Sequence, residues 1–223
     1  MVLLSILICT IPQRIEFLRR LCHILYDQLY NSPNRDIVEV LIAEDNCIMS
    51  VGEKRNKLIA AAVGKYVCFI DDDDMVPCYY VDRIVESLRS SSGSSIFDCL
   101  GFRYIFRFKG VDNPAIGTAS LSCTEWHTNR DKMTRSICHL NPILRSIASS
   151  VKFDAVNRGE DHKWSIEVCK KLKNECFLDE VMYIYEAYPE LSTSNQITSD
   201  TYKGIAFTEF NFEELSSINC SYI

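Results

Sequence analysis

The sequence predicts an α/β protein built on a mostly parallel central sheet, and three observations predict it. Residues 3–10, 38–43 and 65–70 are apolar runs with little polar alternation, as expected of strands buried on both faces. Helical spacing separates each run from the next, which gives successive β-α-β units whose right-handed crossovers make the strands parallel. All three runs end in polar tips: Thr10, then Asp45, then Asp71, Asp72, Asp73 and Asp74. Such a topology puts these tips on one edge of the sheet, where open α/β sheets bind ligands.

The chain has 223 residues, enough for one domain with a real core, and its 47% apolar and 24% charged content is that of a globular protein. A net charge of −6 gives no electrostatic basis for binding nucleic acid. No apolar run reaches the roughly 20 residues of a membrane span. The run at 2–9 has no basic flank before it and reads as a strand, not a signal peptide. The 11 cysteines form no CxxC pair, and several, such as Cys9, Cys68 and Cys99, sit inside apolar runs. They read as reduced thiols of a cytoplasmic protein, not as disulfides or zinc ligands. Asn219 opens a glycosylation sequon that such a setting would leave unused.

In chain order, residues 13–30 form a helix with Ile15, Leu18, Cys22, Leu25 and Leu29 on one face. A break at 31–34 precedes the second strand. Ser50 and Glu53 make a capping box that opens a helix over 51–63, closed by Gly64. After the Asp run comes a helix over 79–89, then a Ser/Gly loop to residue 95. The aromatic stretch 97–109 reads as one or two strands, 112–117 as a turn, and 119–123 as a short strand. Residues 126–133 show no clear pattern. A short helix ends near 149, residues 151–153 form a short strand or turn, a helix spans 162–172 with Trp164, Val168 and Leu172 on one face, and 177–185 form a last strand. Beyond 188 the chain turns polar and reads as a loosely packed tail.

The four consecutive carboxylates repel one another unless a cation or a set of donors offsets them. Their oxygens suit hard cations such as Mg2+ and Mn2+, so the run reads as a metal site for a phosphate-bearing ligand, or else as a solvated acidic turn. Lys54, Arg55 and Asn56 lie in the first turns of a helix, whose N-terminus favours anions. They form a diphosphate seat or a solvated basic face. Glu160 and Asp161 follow Gly159 at a helix start, as capping acids or as a general base on a hinged loop. His139 and His162 are metal or acceptor contacts, or structural and surface residues.

The order of these motifs resembles the family 2 glycosyltransferases of GT-A fold. The resemblance rests on Thr10-Ile11-Pro12-Gln13-Arg14 after the first strand, Asp45 after the second, and Gly52-Glu53-Lys54-Arg55-Asn56. Phe69-Ile70 before the Asp run, and Gly159-Glu160-Asp161 with Trp164 behind, complete it. It covers residues 3 to 185, and the pairing of the Asp run with the downstream acidic motif is its specific part. The resemblance implies a Rossmann-like three-layer sandwich in one domain: a nucleotide-sugar half (1–100), an acceptor half (101–190) and a tail (191–223). It implies an inverting hexosyltransferase of glycan biosynthesis, moving a sugar from a nucleotide-sugar, usually a UDP-sugar, to a hydroxyl of a glycan or glycoconjugate, with Mn2+ or Mg2+.

Position by position, Thr10, Pro12 and Arg14 would line the nucleotide pocket and Asp45 would bind uracil or ribose. Lys54, Arg55 and Asn56 would lie by the nucleotide, together with Asp71 and Asp72. Asp71 and Asp73 match the DxD metal motif, and Asp161, with Glu160 beside it, the catalytic base. His139, His162 and Trp164 are the acceptor-side candidates. The chain lacks the acceptor domain and membrane segments of processive members, which suits a stand-alone enzyme or one domain of a longer chain.

Two other readings compete. Another metal-dependent phosphate-transfer enzyme is one, but dehalogenase-type phosphatases carry DxD on the first strand and Thr or Val where Met75 stands. A calcium-binding EF-hand loop would need Gly where Val76 stands. The other is a module that binds nucleotide-sugar without transfer, for which Asp161 would be superfluous.

Overall fold

The computed structural model describes residues 1–90, 96–108, 115–129, 132–187 and 220–222. The first part alternates as expected: β1 (Leu4–Thr10), α1 (Ile15–Asn31), β2 (Val38–Glu44), α2 (Val51–Ala61), β3 (Tyr66–Phe69) and α3 (Tyr80–Ser90). A 3-10 turn at Pro12–Arg14 leads into α1. β1 pairs in parallel with β2 on one side and β3 on the other, so the three tips share one edge.

Along β1 the side chains divide between two cores, as a strand with two covered faces requires. Leu4, Ile6 and Ile8 pack with Leu18, Leu25, Tyr80 and Ile84 from α1 and α3. Leu7 packs with Leu58 and Ile59 of α2 and with Val67, Phe69 and Trp164. The result is a three-layer α/β sandwich around a mostly parallel central sheet. The capping box is present: the Ser50 hydroxyl accepts from the Glu53 amide, and Glu53 accepts from Ser50.

The second half departs from the sequence reading. Residues 97–109 give one long strand, β4 (Cys99–Phe108). The turn expected at 112–117 is, from 115 on, strand β5 (Ala115–Ala119), antiparallel to β4. Gly117 misled because it is there for space: a Cβ would lie 2.3 Å from the Tyr104 ring. The strand expected at 119–123 is then a turn after Ala119, and the unassigned stretch contains β6 (His127–Asn129) and part of β7 (Lys132–Arg135). Residues 151–153 are not a strand. β8 (Ile143–Leu144) and α4 (Arg145–Ala148) precede α5 (Glu160–Cys169), which starts two residues earlier than expected, after Gly159 at φ 74°. Glu160 and Asp161 therefore sit within the helix.

β9 (Glu175–Ala187) runs parallel to β4, and β10 (Cys220–Tyr222), within the stretch read as a loose tail, pairs in parallel with β2. The Ser/Gly loop at 91–95 and the tail from 188 to 219 lie outside the described residues. Among the described residues no helix is long and apolar enough to cross a membrane.

Candidate active site

Where β1 and β3 end, the chain encloses a cavity of about 250 Å³ lined by Cys9, Thr10, Ile11, Arg14, Val51, Lys54, Arg55, Asp71, Asp72, Asp73, Asp74, Asn157, Glu160 and Tyr185. The four aspartates are not equivalent. The side chains of Asp71 and Asp73 are 28% and 27% exposed, whereas Asp72 is 5% exposed. Asp74 is buried outright; it accepts from the Tyr183 hydroxyl at 2.6 Å and from the Glu186 amide at 2.8 Å. All four line the cavity, but Asp71 and Asp73 are partly exposed while Asp72 and Asp74 are buried, so the run is not a solvated turn.

Asp72 accepts from Thr10 Oγ1 at 2.7 Å, and one Arg14 nitrogen, Nη2, lies 2.6 Å from both Asp72 and Asp73. Arg55 donates through Nη2 to Asp71 at 2.9 Å and through Nε to Glu160 at 3.2 Å. Its guanidinium lies 4.8 Å from the Phe69 ring centroid. Lys54 is also buried, with Nζ 2.8 Å from both the Thr10 carbonyl and Asp45. The basic helix start is therefore no solvated face.

These partners set the protonation of the cluster. Burial alone would raise the Asp71 carboxyl, but Arg55 and His139 outweigh it and hold Asp71 well below the usual carboxylate range. Burial pushes Asp72 up to about 7; Asp73 and Asp71 add to the rise, against Arg14 and the Thr10 hydroxyl. Asp74 is likewise raised, by burial first and then by Asp73 and Asp71. The Cys9 thiol, pushed up to about 12 chiefly by burial, stays protonated at neutral pH.

Other expected residues do different work. The backbone donors at the start of α2 are taken: the Val51 amide by Asn157 Oδ1, the Gly52 amide by the Val156 carbonyl and the Glu53 amide by Ser50. Two guanidinium groups, those of Arg14 and Arg55, also line the cavity; among the described residues Arg14 Nε and Arg55 Nη1 are buried without an acceptor. Gly52 admits that close loop, because a Cβ there would lie 1.8 Å from the Asp154 carbonyl oxygen. Asn56 clamps the Phe153 backbone, donating to its carbonyl at 2.9 Å and accepting from its amide at 3.0 Å. Asp45 shapes its own loop, accepting from the Met49 amide at 2.6 Å and from Lys54. Pro12 occupies the start of the 3-10 turn.

Glu160 lines the cavity but is committed to Arg55; Asp161, 26% exposed, lies 3.9 Å from Nδ1 of the buried His139. The other nitrogen of His139 is 3.4 Å from Asp71, so this histidine lies between the two acidic motifs and is hydrogen-bonded to the first only. His162 is exposed and meets the Trp126 ring edge-on at 5.0 Å. Trp164 is buried, stacked on Phe153 at 4.6 Å and donating to the Val151 carbonyl, which places it in the core.

Sequence reasoning missed Asn157, Tyr183 and Tyr185. The Tyr183 hydroxyl accepts from the Asp71 amide at 3.1 Å and donates to Asp74, so it braces the Asp run from β9. Two tyrosines two apart on a strand were the available signal. The bridge that brings β9 there, Met75 to Ile184, has no local signature.

No protein-family model matches the sequence, and no curated protein does. Solved structures do match in fold. One is Staphylococcus aureus TarS (residues 1–349) in complex with UDP-GlcNAc, with a TM-score of 0.64 at 16% identity, over 90% of this chain and 64% of that one. Another is the mannosyltransferase PcManGT from Pyrobaculum calidifontis in complex with GDP-Man and Mn2+, with a TM-score of 0.54 at 9% identity, over 86% of this chain and 59% of that one. The chain thus spans about 60% of the TarS 1–349 and PcManGT chains and 37% of a longer TarS structure.

Proposed function

We propose that the chain is an inverting, metal-dependent glycosyltransferase, transferring a sugar from a nucleotide-sugar, a UDP-sugar first among candidates, to a hydroxyl of a glycan or glycoconjugate. One observation carries this reading. Two partly exposed carboxylates, Asp71 and Asp73, share a cavity with the guanidinium groups of Arg14 and Arg55. Cation-binding and anion-binding groups side by side suit a metal–diphosphate ligand. The complexes of the structural neighbours with UDP-GlcNAc and with GDP-Man and Mn2+ support the same ligand class.

Among the described residues no three His, Cys, Asp or Glu side chains converge on a metal position. That fits a cation of the Mg2+ type, which is commonly held by one or two carboxylates with phosphates and waters completing the shell. Asp71 and Asp73 are the two carboxylates. When bound, the cation would supply charge neutralisation for the departing diphosphate. Arg14 and Arg55, which line the cavity, would hold the diphosphate oxygens.

In the reaction, the acceptor oxygen attacks the anomeric carbon as the bond to the diphosphate breaks, and that bond's electron pair leaves on the phosphate oxygen. Asp161 takes the hydroxyl proton as general base. Glu160, bound to Arg55, orients the guanidinium rather than taking a proton.

The test is a panel of nucleotide-sugars with Mn2+ or Mg2+, read by nucleoside diphosphate release, on the wild type, Asp73→Ala and Asp161→Asn. The expected result is turnover of one donor by the wild type, loss of binding in Asp73→Ala, and binding without turnover in Asp161→Asn. Failure of every nucleotide-sugar to bind with metal present would overturn the reading.

A further inference from the structure

We infer that Arg135 is an anion subsite for the acceptor: the substrate that brings the hydroxyl also carries a phosphate or a carboxylate, and this guanidinium receives it. The inference rests on the function proposed above and adds the chemical class of the acceptor.

Arg135 ends β7 and is 9% exposed. Three aromatic rings surround it: the guanidinium carbon lies 4.9 Å from the ring centroids of Trp126 and Tyr185 and 5.4 Å from that of Tyr104. It makes no ion pair and no well-formed hydrogen bond with any described residue, and its Nε is buried without an acceptor. The cations that line the cavity differ in this respect. Arg14, Arg55 and Lys54 each have a carboxylate oxygen at 2.9 Å or closer. Ring faces offset only part of the cost of burying a charge, so Arg135 lacks a counter-ion.

Its place decides which anion it takes. Tyr185 lines the cavity, so Arg135 stands beside that wall. On its other side Trp126 meets His162, the residue after Asp161, edge-on at 5.0 Å. Burial alone would lower the Arg135 pKa, but neighbouring groups outweigh it, and Asp161 is the carboxylate among them without touching the guanidinium. Arg135 is therefore on the Asp161 side of the cavity, whereas Arg14 and Arg55 are bound to the Asp run. In the proposed reaction the diphosphate lies by the Asp run and the acceptor hydroxyl by Asp161. The anion within reach of Arg135 is then the acceptor's. A guanidinium takes two oxygens of a phosphate or carboxylate at once, and the surrounding rings hold its plane for that contact.

The experiment follows the Nε–H resonance of Arg135 in the isotope-labelled full chain, with UDP and Mg2+ saturating, as methyl glucoside, methyl glucoside 6-phosphate or methyl glucuronide is added. Arg135→Gln assigns the resonance by its loss, and Arg135→Lys keeps the charge. The probes share one ring and differ in the anion, so they separate a phosphate-bearing acceptor from a carboxylate-bearing one. Wild type should bind the better anionic probe about ten-fold more tightly than methyl glucoside, with the Arg135 resonance shifting. Arg135→Gln should lose that preference and Arg135→Lys should keep part of it, with UDP binding as the check that each variant is folded. A guanidinium that only packs among rings would give no preference in the wild type. If neither anionic probe moves the resonance or outbinds the neutral one while UDP binds, the subsite is refuted and the functional reading stands. If UDP does not bind with metal present, the functional reading falls and takes the acceptor role of Arg135 with it.

Discussion

Asn56→Ala separates the two roles available to this side chain. Next to a nucleotide, its loss would weaken donor binding and leave the fold alone. In the structure its amide makes two hydrogen bonds to the Phe153 backbone, at 2.9 and 3.0 Å, which hold the segment 151–157 against α2. Phe153 in turn stacks on Trp164 and meets Phe69 edge-on at 5.9 Å. Truncation strands one carbonyl and one amide, each costing about 1–2 kcal/mol when left unpaired, for about 3 kcal/mol in total. For a chain of this size that lowers the melting temperature by about 6–12 °C. The assay is thermal unfolding by circular dichroism beside nucleotide titration by calorimetry, both well below the transition. A melting temperature within about 2 °C of wild type, with nucleotide affinity reduced ten-fold, would refute the clamp.

Tyr183→Phe strands the Asp71 amide and removes one donor from Asp74, so it should cost about 1–3 kcal/mol and weaken binding of Mn2+ with UDP; melting and calorimetry read both. Cys9 should resist iodoacetamide at pH 8 although it lines the cavity, because its thiol is pushed up to about 12; the exposed Cys47 and Cys78 should be alkylated first, as read by peptide mass spectrometry. Binding of Mn2+ with nucleotide near pH 6 should release protons. With its carboxyl pushed up to about 7, Asp72 is largely protonated there, and a nearby cation favours the ionised form, so release should fade above that pH; calorimetry in buffers of different ionisation enthalpy measures it.

How much was legible follows from how local each signal is. β1, β2 and β3 carry their burial in uninterrupted apolar runs, and the Ser50–Glu53 box marks α2 within four residues. The second half mixes parallel and antiparallel pairings of strands of very different length, and Gly117, which suggests a turn, lies within β5 against a cross-strand ring. At the site, Arg55, Asp71 and Asp73, singled out by residue type, and Arg14, singled out by the resemblance, line one cavity. Residue type and spacing could not tell Lys54 from Arg55. Both are basic and in the first turns of α2, yet one ties Asp45 to the end of β1 and the other faces the Asp run. Only the paths of neighbouring loops decide that, and those paths depend on contacts such as Asn56 to Phe153, 97 residues apart.

The sequence argument held that four adjacent carboxylates need a cation or a set of donors to offset them, and within the described residues the structure supplies donors. Arg14 serves Asp72 and Asp73, Arg55 serves Asp71 and Glu160, and Asp74 takes hydrogen bonds from β9. Had these arginines pointed elsewhere, the run would be a preformed cation site with its repulsion unrelieved. Instead the carboxylates are neutralised and the unused valence of the site is on the arginines, as N–H groups buried without acceptors. Under the function proposed above, Arg14 and Arg55 are the cavity-lining cations that a diphosphate would meet.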